Sequence, residues 1–387
     1  MKMILMTGVL VAAAIYGFCA GAEGEKNPIN LQLPPEIYAV PDRETNVYFD
    51  NIVLTLNPDI YFFDVDCAKG RNDAKRWRFV PAAGDIGEIP WKVRVLDSEN
   101  RVVAQGETKI ITVPKNAGEG KSISLLIVGD SLTGATFYPR RINELFKMPG
   151  NPAVKFVGSH AGGGKPAEAD GVCHEGYGGW SWWAFCSTWT DGTDPRARSK
   201  FLTLKNGKPT LDFKAYCDQY NNGMPPDFIT VMLGTNDVFA ATDETIDGQI
   251  KTAFQYMDML LGEFSRVAPQ AKIGVALTVP PAHSQDAFGS NYNCGQTRWQ
   301  YKRNQYRLVQ AMIKKFSGNK DKNISLIPVY LNLDCENGFP VSNEPIVQVS
   351  TEKTIRQCNG VHPSETGYRQ IGDSFYCWMK YQLSLDK

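Results

Sequence analysis

Ser131 stands at a place in the sequence where a serine could act as a nucleophile. It follows the apolar run from Ile123 to Val128 and the dipeptide Gly129-Asp130. Such a short, unbroken apolar run suits a strand that is buried on both faces of a parallel sheet. The turn after such a strand is where open α/β sheets place their chemistry. A capping serine in an ordinary strand-to-helix turn is the alternative, so the interpretation depends on partners for the hydroxyl.

A nucleophilic serine needs a base to take its proton and donors for the oxyanion that forms. The chain has four histidines, and His362 lies between the last long loop and the last predicted helix. Asn236, in Gly234-Thr235-Asn236-Asp237, follows another apolar run and can donate from its side-chain amide. Gly179 offers a backbone N–H on an earlier loop. Each residue alone has a structural explanation, but together they indicate one hydrolytic site.

An alternation of strands and helices must position these residues. After the strand that begins at Ile123, strands are predicted over 153–158, 228–233, 272–279 and 324–329, and helices over 139–147, 244–267, 300–316 and 364–383. This order predicts a parallel sheet covered by helices on both faces. The long segments 159–222, 281–299 and 332–361 each follow a strand, so we expect them to build a substrate cleft over the edge that carries Ser131.

Residues 23–118 have a different pattern, with short strand-like runs over 46–54, 91–96, 101–104 and 108–113. They predict a small β-sandwich, joined through the linker from Pro114 to Lys121 to a catalytic domain over 119–387. The β domain carries no convergent catalytic residues. It is interpreted as a scaffold or lid, with carbohydrate binding as the alternative.

The amino end predicts export. Lys2, the apolar stretch from Ile4 to Ala14 and the small residues Ala20-Gly21-Ala22 form a signal peptide over 1–22, and the protein is then periplasmic or secreted. A lipoprotein anchored through Cys19 is the alternative. No later segment is apolar enough to span a membrane. The 387 residues carry equal numbers of acidic and basic side chains, so charge gives no case for nucleic acid as a partner.

Eight cysteines follow Cys19. An exported protein can form disulfides, and Cys294, Cys335 and Cys358 lie in loop-like stretches. A bridge among these three and free thiols are both open. The absence of a C-x-x-C pair and the few histidines argue against a zinc site, so no metal or cofactor is predicted.

The motifs resemble those of the SGNH (GDSL-type) hydrolases, a family of serine esterases, from Ile123 to the carboxyl terminus. Gly129-Asp130-Ser131 matches the first block of the family, Glu175–Trp180 resembles the second, Gly234–Asp237 matches the third, and His362 matches the base of the fifth. The resemblance implies a flavodoxin-like three-layer α/β/α sandwich. The chain has no G-x-S-x-G elbow, which argues against an ordinary α/β-hydrolase.

The resemblance also implies roles for the candidate residues. Ser131 is then the nucleophile and His362 the base, and the oxyanion hole consists of the Ser131 N–H, the Gly179 N–H and the Asn236 amide. One position departs from the family. Asn359 stands where an aspartate usually orients the base, and in a serine protease the corresponding change to asparagine lowers turnover about ten-thousandfold.

Three consequences of Asn359 are open. A backbone carbonyl can accept from His362 and leave a Ser–His dyad, a carboxylate such as Asp334, Glu336 or Glu175 can replace the aspartate, or activity is low. Asn359 can also orient the loop, or accept from His362 through its side-chain oxygen.

The substrate is expected to be an acetylated poly- or oligosaccharide. Trp180, Trp182, Trp183 and Trp189 follow the candidate oxyanion glycine, and Trp299 and Tyr301 follow the second long loop. Aromatic rings suit stacking on sugars, although half or more of them are expected in the core. A lipase or thioesterase on the same fold, and a non-catalytic glycan-binding protein, are the alternatives.

Overall fold

A computed structural model describes residues 29–162, 165, 170–291, 295–317 and 323–385. The predicted signal peptide, Cys19 and Cys294 therefore lie outside the described residues. Within the described part, no helix is long and apolar enough to cross a bilayer.

The strands are β1 (Ile37–Ala39), β2 (Thr45–Tyr48), β3 (Phe62–Asp66), β4 (Arg71–Asn72), β5 (Arg76–Phe79), β6 (Gly87–Leu96), β7 (Val102–Thr112), β8 (Ser122–Gly129), β9 (Ala153–Val157), β10 (Glu175–Gly176), β11 (Leu202–Lys205), β12 (Lys208–Leu211), β13 (Phe228–Met232), β14 (Lys272–Ala276), β15 (Ile324–Ile327), β16 (Val341–Pro345) and β17 (Lys353–Gln357). The helices are α1 (Phe49–Ile52), α2 (Ser131–Gly134), α3 (Phe137–Phe146), α4 (Trp182–Ser187), α5 (Phe213–Tyr220), α6 (Thr235–Val238), α7 (Ile246–Val267), α8 (Asp286–Asn291), α9 (Arg298–Ser317), α10 (Val329–Asn332) and α11 (Glu365–Leu385).

The predicted parallel sheet is confirmed. Its strands run in the order β9, β8, β13, β14, β15. The short strand β10 pairs with the last two residues of β8, on the same edge as β9. All of the described pairings are parallel. This is the doubly wound order 2-1-3-4-5, in which the second strand is added on one side of β8 and the later strands on the other, so that the strand order reverses between β8 and β13. The crevice at that reversal lies beyond the carboxyl ends of β8 and β13, where Ser131 and Asn236 follow.

The central strand β8 explains why both faces of the sheet are covered. Leu126 and Val128 belong to one apolar core and Leu125 and Ile127 to the other, because successive side chains of a strand point to opposite faces. One core is closed by α7 and α9. The other is closed by α3 and α11, whose Tyr138 and Phe375 rings stack with centroids 5.0 Å apart.

The predicted β-sandwich is confirmed as two sheets, one in the order β1, β7, β6, β3 and the other in the order β2, β5, β4. Trp77 of β5 meets Trp91 of β6 edge to face, with ring centroids 6.1 Å apart. The strand predicted over 46–54 is wrong after Tyr48, where α1 begins. This helical turn sends Asn51 toward the catalytic part, where its side chain donates 2.7 Å to the carbonyl of Tyr330.

The sandwich is therefore not an isolated unit. The backbone N–H of Asn46 donates 3.0 Å to Asn332 in the first turn after β15, and both residues are buried. The change from the sandwich to the parallel sheet falls between β7 and β8. The predicted domain boundary at residue 118 lies in this interval and remains a prediction.

The cysteines in the described residues are free. No bridge joins Cys335 to Cys358, and the thiol of the buried Cys335 donates 3.3 Å to the side-chain oxygen of Asn51. The long segments also contain elements that the pattern does not predict, namely the strand β10, the helices α4 and α5, and the hairpins β11–β12 and β16–β17.

Candidate active site

The structure brings Ser131 and His362 into direct contact. The Ser131 Oγ lies 2.8 Å from the His362 Nε2, although 231 positions separate the two residues. Ser131 is the first residue of α2, which Asp130 caps by accepting 2.9 Å from the Leu132 N–H. His362 lies just before α11. The distance of 2.8 Å between the Ser131 Oγ and the His362 Nε2 is short enough for proton transfer from a serine to a base.

Burial decides the protonation state of the histidine. His362 is partly covered, and desolvation lowers its pKa from the ordinary value of 6.5, since a charged imidazolium loses hydration on burial. At neutral pH the ring is therefore uncharged and can accept a proton from Ser131.

Asn359 fixes the backbone that carries the histidine. Its side-chain oxygen accepts 3.1 Å from the Val361 N–H and 2.9 Å from the His362 N–H. An asparagine side-chain oxygen has two lone pairs and can accept both bonds. The position thus orients the loop, which is one of the roles considered for it from the sequence.

Two of the carboxylates considered as substitutes for the missing aspartate are engaged elsewhere. Glu175 is completely buried and accepts 2.8 Å from the Tyr216 hydroxyl and 2.6 Å from the Ser159 N–H. Asp334 accepts from the backbone N–H groups of Glu336 and Asn337 at 3.0 and 2.9 Å. The third, Glu336, is exposed.

The register of the sheet places the candidate oxyanion donors at one edge. Gly129 of β8 lies opposite Gly176 of β10 on one side and Met232 of β13 on the other. The loops that carry Ser131, Gly179 and Asn236 therefore start at the same level.

Gly179 lies in a turn that Trp180 closes by donating 3.2 Å to the Tyr177 carbonyl. Its φ is 79°, a left-handed conformation that glycine adopts without steric cost. Gly179 is exposed, so its backbone is accessible to a ligand.

Asn236 ties this turn to α6. Its amide donates 2.8 Å to the Trp180 carbonyl and, in a longer contact of 3.5 Å, to the Asp130 carboxyl. The amide is thus held among the three loops of the site. Stabilising an oxyanion requires it to give up the longer of these contacts.

Two carboxyl groups lie near Asn236, that of the buried Asp130 and that of the half-buried Asp237. Burial raises the pKa of Asp130 to about 7, and the neighbouring charge of Asp237 adds to the shift. Burial also raises the pKa of Asp237 to about 7. Asp237 accepts a long bond of 3.4 Å from the Trp182 N–H, which holds the start of α4.

Two histidines hold the start of the loop that carries Gly179. The Gly176 N–H donates 3.1 Å to the Nδ1 of His174, and the Gly176 carbonyl lies 2.9 Å from the Nε2 of His160. A carbonyl accepts, so that Nε2 carries the proton. Burial lowers the pKa of His174 to about 3, which keeps this ring neutral. Sequence reasoning considered both residues only as bases, and no spacing pattern reports this bracing role.

Gly176 itself is required by close packing. A Cβ at this position would lie 2.6 Å from the backbone nitrogen of Gly134 in α2. The absence of a side chain therefore lets α2, with Ser131 at its start, pack directly on β10.

Ser131 lies in the wall of a cleft with a volume of about 640 Å³. The described lining residues are Ser131, Gly134, His160, Gly176, Tyr177, Gly178, Thr193, Asp194, Pro195 and Arg196. They include no leucine, isoleucine, valine, methionine or phenylalanine. Each of these lining residues other than Pro195 is a glycine or carries a polar side chain.

The tryptophans divide between core and surface. Trp180 and Trp182 are buried, whereas Trp183 is 49% exposed. Trp189 and Trp299 are half-buried, and Tyr301 is 1% exposed. The Arg198 guanidinium lies over the Trp189 ring, with its Cζ 4.9 Å from the ring centroid. Both residues lie at the base of the loop that lines the cleft. About half of these rings are thus core anchors, as expected.

Within the described residues, no group of three histidine, cysteine or acidic side chains is arranged to hold a metal ion.

Solved structures resemble the chain loosely. A family 3 carbohydrate esterase from Clostridium thermocellum is 18% identical, with 68% of this chain and 98% of that chain covered and a TM-score of 0.42. A carbohydrate esterase family 3 structure from Talaromyces cellulolyticus is 16% identical, with 68% of this chain and 99% of that chain covered and a TM-score of 0.38. A carbohydrate acetylesterase family member from Sinorhizobium meliloti is 13% identical, with 67% of this chain and 99% of that chain covered and a TM-score of 0.39. Similarity at this level carries no argument for a shared substrate.

No curated protein matches the sequence. The family model described as GDSL-like Lipase/Acylhydrolase matches residues 125–375. This match covers well over half of the chain and includes Ser131, Gly179, Asn236 and His362. The chain belongs to the GDSL-like lipase/acylhydrolase family.

Proposed function

We propose that this protein is an esterase that removes acetyl groups from carbohydrate, with Ser131 as the nucleophile and His362 as the base. The observation that carries the proposal is the 2.8 Å contact between the Ser131 Oγ and the His362 Nε2. Ser131 lies in the wall of a cleft whose described lining has no leucine, isoleucine, valine, methionine or phenylalanine. The family membership supports acyl transfer, and the cleft supports the choice of substrate.

In the first step, His362 takes the proton of Ser131 while the Oγ attacks the acetyl carbonyl carbon. The N–H groups of Ser131 and Gly179 and the amide of Asn236 stabilise the oxyanion. The tetrahedral intermediate then collapses, the bond to the sugar oxygen breaks, and His362 returns its proton to the leaving alcohol. The product of this step is an acetyl-enzyme.

In the second step, His362 takes a proton from water, and the hydroxide oxygen attacks the acetyl-enzyme. Collapse of the second intermediate returns the proton from His362 to the Ser131 Oγ and releases acetic acid, which ionises to acetate by losing its proton to solvent. Both steps use the same base and the same oxyanion donors, and their atoms balance without a metal or a cofactor.

Two features support a small acyl group on a sugar. The described lining of the cleft lacks the aliphatic side chains that would stabilise a long acyl chain in water. The exposed ring of Trp183 and the half-buried rings of Trp189 and Trp299 can contact sugar rings. The signal peptide predicted over residues 1–22 supports export to the periplasm or the medium, where such glycans are encountered.

The test compares acetate release by the wild type and Ser131→Ala from p-nitrophenyl acetate and acetylated xylan. Loss of the nucleophile should lower kcat by at least about a thousandfold. The matched control is Ser98→Ala at an exposed turn of the β-sandwich, which should retain wild-type turnover. Equal turnover by wild type and Ser131→Ala would contradict the proposal.

One observation favours a second candidate, an esterase for longer acyl chains. The β16–β17 hairpin exposes aliphatic side chains, with Val349 exposed by 91% and Ile355 by 70%. A series of p-nitrophenyl esters from acetate to palmitate separates the candidates. Activity that rises with chain length favours the lipase-type enzyme, and activity that falls beyond butyrate favours the acetylesterase. Binding of glycan without cleavage of any ester would indicate a non-catalytic relative.

A further inference from the structure

A second cavity, with a volume of about 520 Å³, lies between the β-sandwich and the catalytic part of the chain. Tyr61, Lys75 and Arg76 line it from the sandwich, and Asp334, Glu336 and Asn337 line it from the loop that follows α10. Its volume falls within the usual range for small-molecule sites, about 300–1,000 Å³. The catalytic residues do not line this cavity.

The wall between the two parts is held by buried charges. Asp50 of α1 pairs with Lys302 and, at 3.2 Å, with Arg298, both in α9. Lys302 is 2% exposed and its ammonium also donates 2.9 Å to the Asp50 carbonyl. Removing one member of such a group leaves a buried charge without compensation. These contacts join α1 of the sandwich to α9 at the wall of the cavity.

The charged lining of the cavity is mainly acidic, with Asp50, Asp59, Asp73, Asp334 and Glu336 beside the basic residues Lys75 and Arg76. Lys75 pairs with Asp59 at 2.7 Å, and Arg76 with Glu44 at 3.1 Å. The Arg76 guanidinium also donates 2.9 Å to the Tyr48 hydroxyl. Both basic groups of the lining are thus paired within the protein, and the excess of acidic groups disfavours an anionic ligand.

The aromatic residues complete this surface. Tyr61 is half-buried in the cavity wall, and the buried Phe63 and Phe49 stack behind it with ring centroids 4.6 Å apart. An apolar ring beside fixed polar groups fits a neutral ligand that carries both C–H faces and many hydroxyls, because each hydroxyl needs a hydrogen-bond partner when it leaves water.

The cavity also adjoins the turn of the catalytic histidine. His283 lies in the cavity wall, and its backbone N–H donates 2.9 Å to the Cys335 carbonyl. The preceding residue, Ala282, donates 3.0 Å to the Gly360 carbonyl, two positions before His362. One short segment thus borders the cavity and braces the candidate active site.

We propose that this cavity binds a neutral sugar segment of the glycan whose ester is cleaved at Ser131, so that the β-sandwich forms part of a substrate-binding site. The inference rests on the proposed function for the class of ligand. The cavity itself is defined by residues that the reaction does not use.

The test measures binding of neutral xylo-, manno- and gluco-oligosaccharides, with oligogalacturonate as the acidic comparison, by calorimetry on the full chain carrying Ser131→Ala. Tyr61→Ala should weaken binding of a neutral oligosaccharide about tenfold. Phe62→Ala, at a neighbouring side chain that is 63% exposed and does not line the cavity, is the matched control and should not change it. Glu336→Gln, an exposed position, provides a second variant if Tyr61→Ala lowers the melting temperature.

In the wild-type background, Tyr61→Ala should raise KM for acetylated polysaccharide about tenfold and change p-nitrophenyl acetate hydrolysis much less. The inference is overturned if no neutral oligosaccharide binds, if only oligogalacturonate binds, or if neither cavity variant weakens binding. Binding that Tyr61→Ala weakens, in a protein that cleaves no ester, would refute the esterase and support the cavity. Ester cleavage without neutral glycan binding would do the reverse.

Discussion

Asn359→Ala tests whether the residue that replaces the usual aspartate positions the base. The change removes the oxygen that accepts from the N–H groups of Val361 and His362 at 3.1 and 2.9 Å. Each net hydrogen bond is worth about 1 kcal/mol. If both are lost and the cost appears as displacement of His362, the barrier rises by about 2 kcal/mol. We therefore expect kcat/KM for p-nitrophenyl acetate to fall about 30-fold, mainly through kcat.

Asn359→Asp is the matched variant, because it keeps an oxygen for both backbone N–H groups. We expect its kcat/KM at pH 8 to lie within about threefold of the wild type. The added negative charge favours the protonated imidazole, so the acidic limb of its pH profile should move to higher pH. Melting temperatures of both variants establish that they are folded.

Two results would refute this reasoning. The first is Asn359→Ala with kcat/KM within twofold of the wild type, which would mean that the two bonds do not position His362. The second is equal damage in both variants, which would mean that the amide nitrogen of Asn359, rather than its oxygen, is required.

Three further predictions concern protonation and packing. Because burial lowers the pKa of His362 from 6.5, the acidic limb of kcat/KM should have its midpoint below pH 6.5, and a midpoint above pH 7 would contradict a neutral base. Burial raises the pKa of Asp130 from 3.8 to about 7, so this carboxyl binds more protons in the folded than in the unfolded state, and its contribution to stability falls as pH rises between those values. Asp130→Asn removes that loss, and urea titrations should show the variant gaining about 1–4 kcal/mol relative to the wild type across this window, whereas a constant difference would count against it. Gly176→Ala places a carbon 2.6 Å from the Gly134 nitrogen and should cost about 1–3 kcal/mol in urea unfolding, whereas Gly178→Ala, whose added carbon meets nothing within 4 Å, should cost less than half as much.

Short-range patterns predict much of the catalytic part. The run from Ile123 to Val128 predicts a doubly buried strand because its side chains alternate between two cores, and the structure confirms this in β8. The motif around Ser131 and the position of His362 predict a meeting at one edge of the sheet, since parallel strands share their carboxyl ends. The structure brings these two residues into contact, while their catalytic roles remain predictions.

The same patterns fail where a local segment is shaped by a distant one. The apolar spacing of residues 46–54 predicts one strand, yet the chain turns into α1 after Tyr48. That turn places Asp50 against the cations of α9 and Asn51 against the carbonyl of Tyr330. Charged and amide groups more than 240 positions away thus override strand propensity, which is a weak preference.

Residue types and their order are sufficient to predict a parallel α/β sheet, a β-sandwich before it, and a serine and a histidine at one sheet edge. These features follow from the periodicity of burial and from the common direction of parallel strands, both of which are visible along the chain. Tertiary structure alone decides that Asn359 accepts from backbone N–H groups, that His160 and His174 hold Gly176, and that a second cavity opens beside the sandwich. Those features depend on the direction of single side chains and on contacts between remote segments, and the spacing of residues in a sequence contains neither.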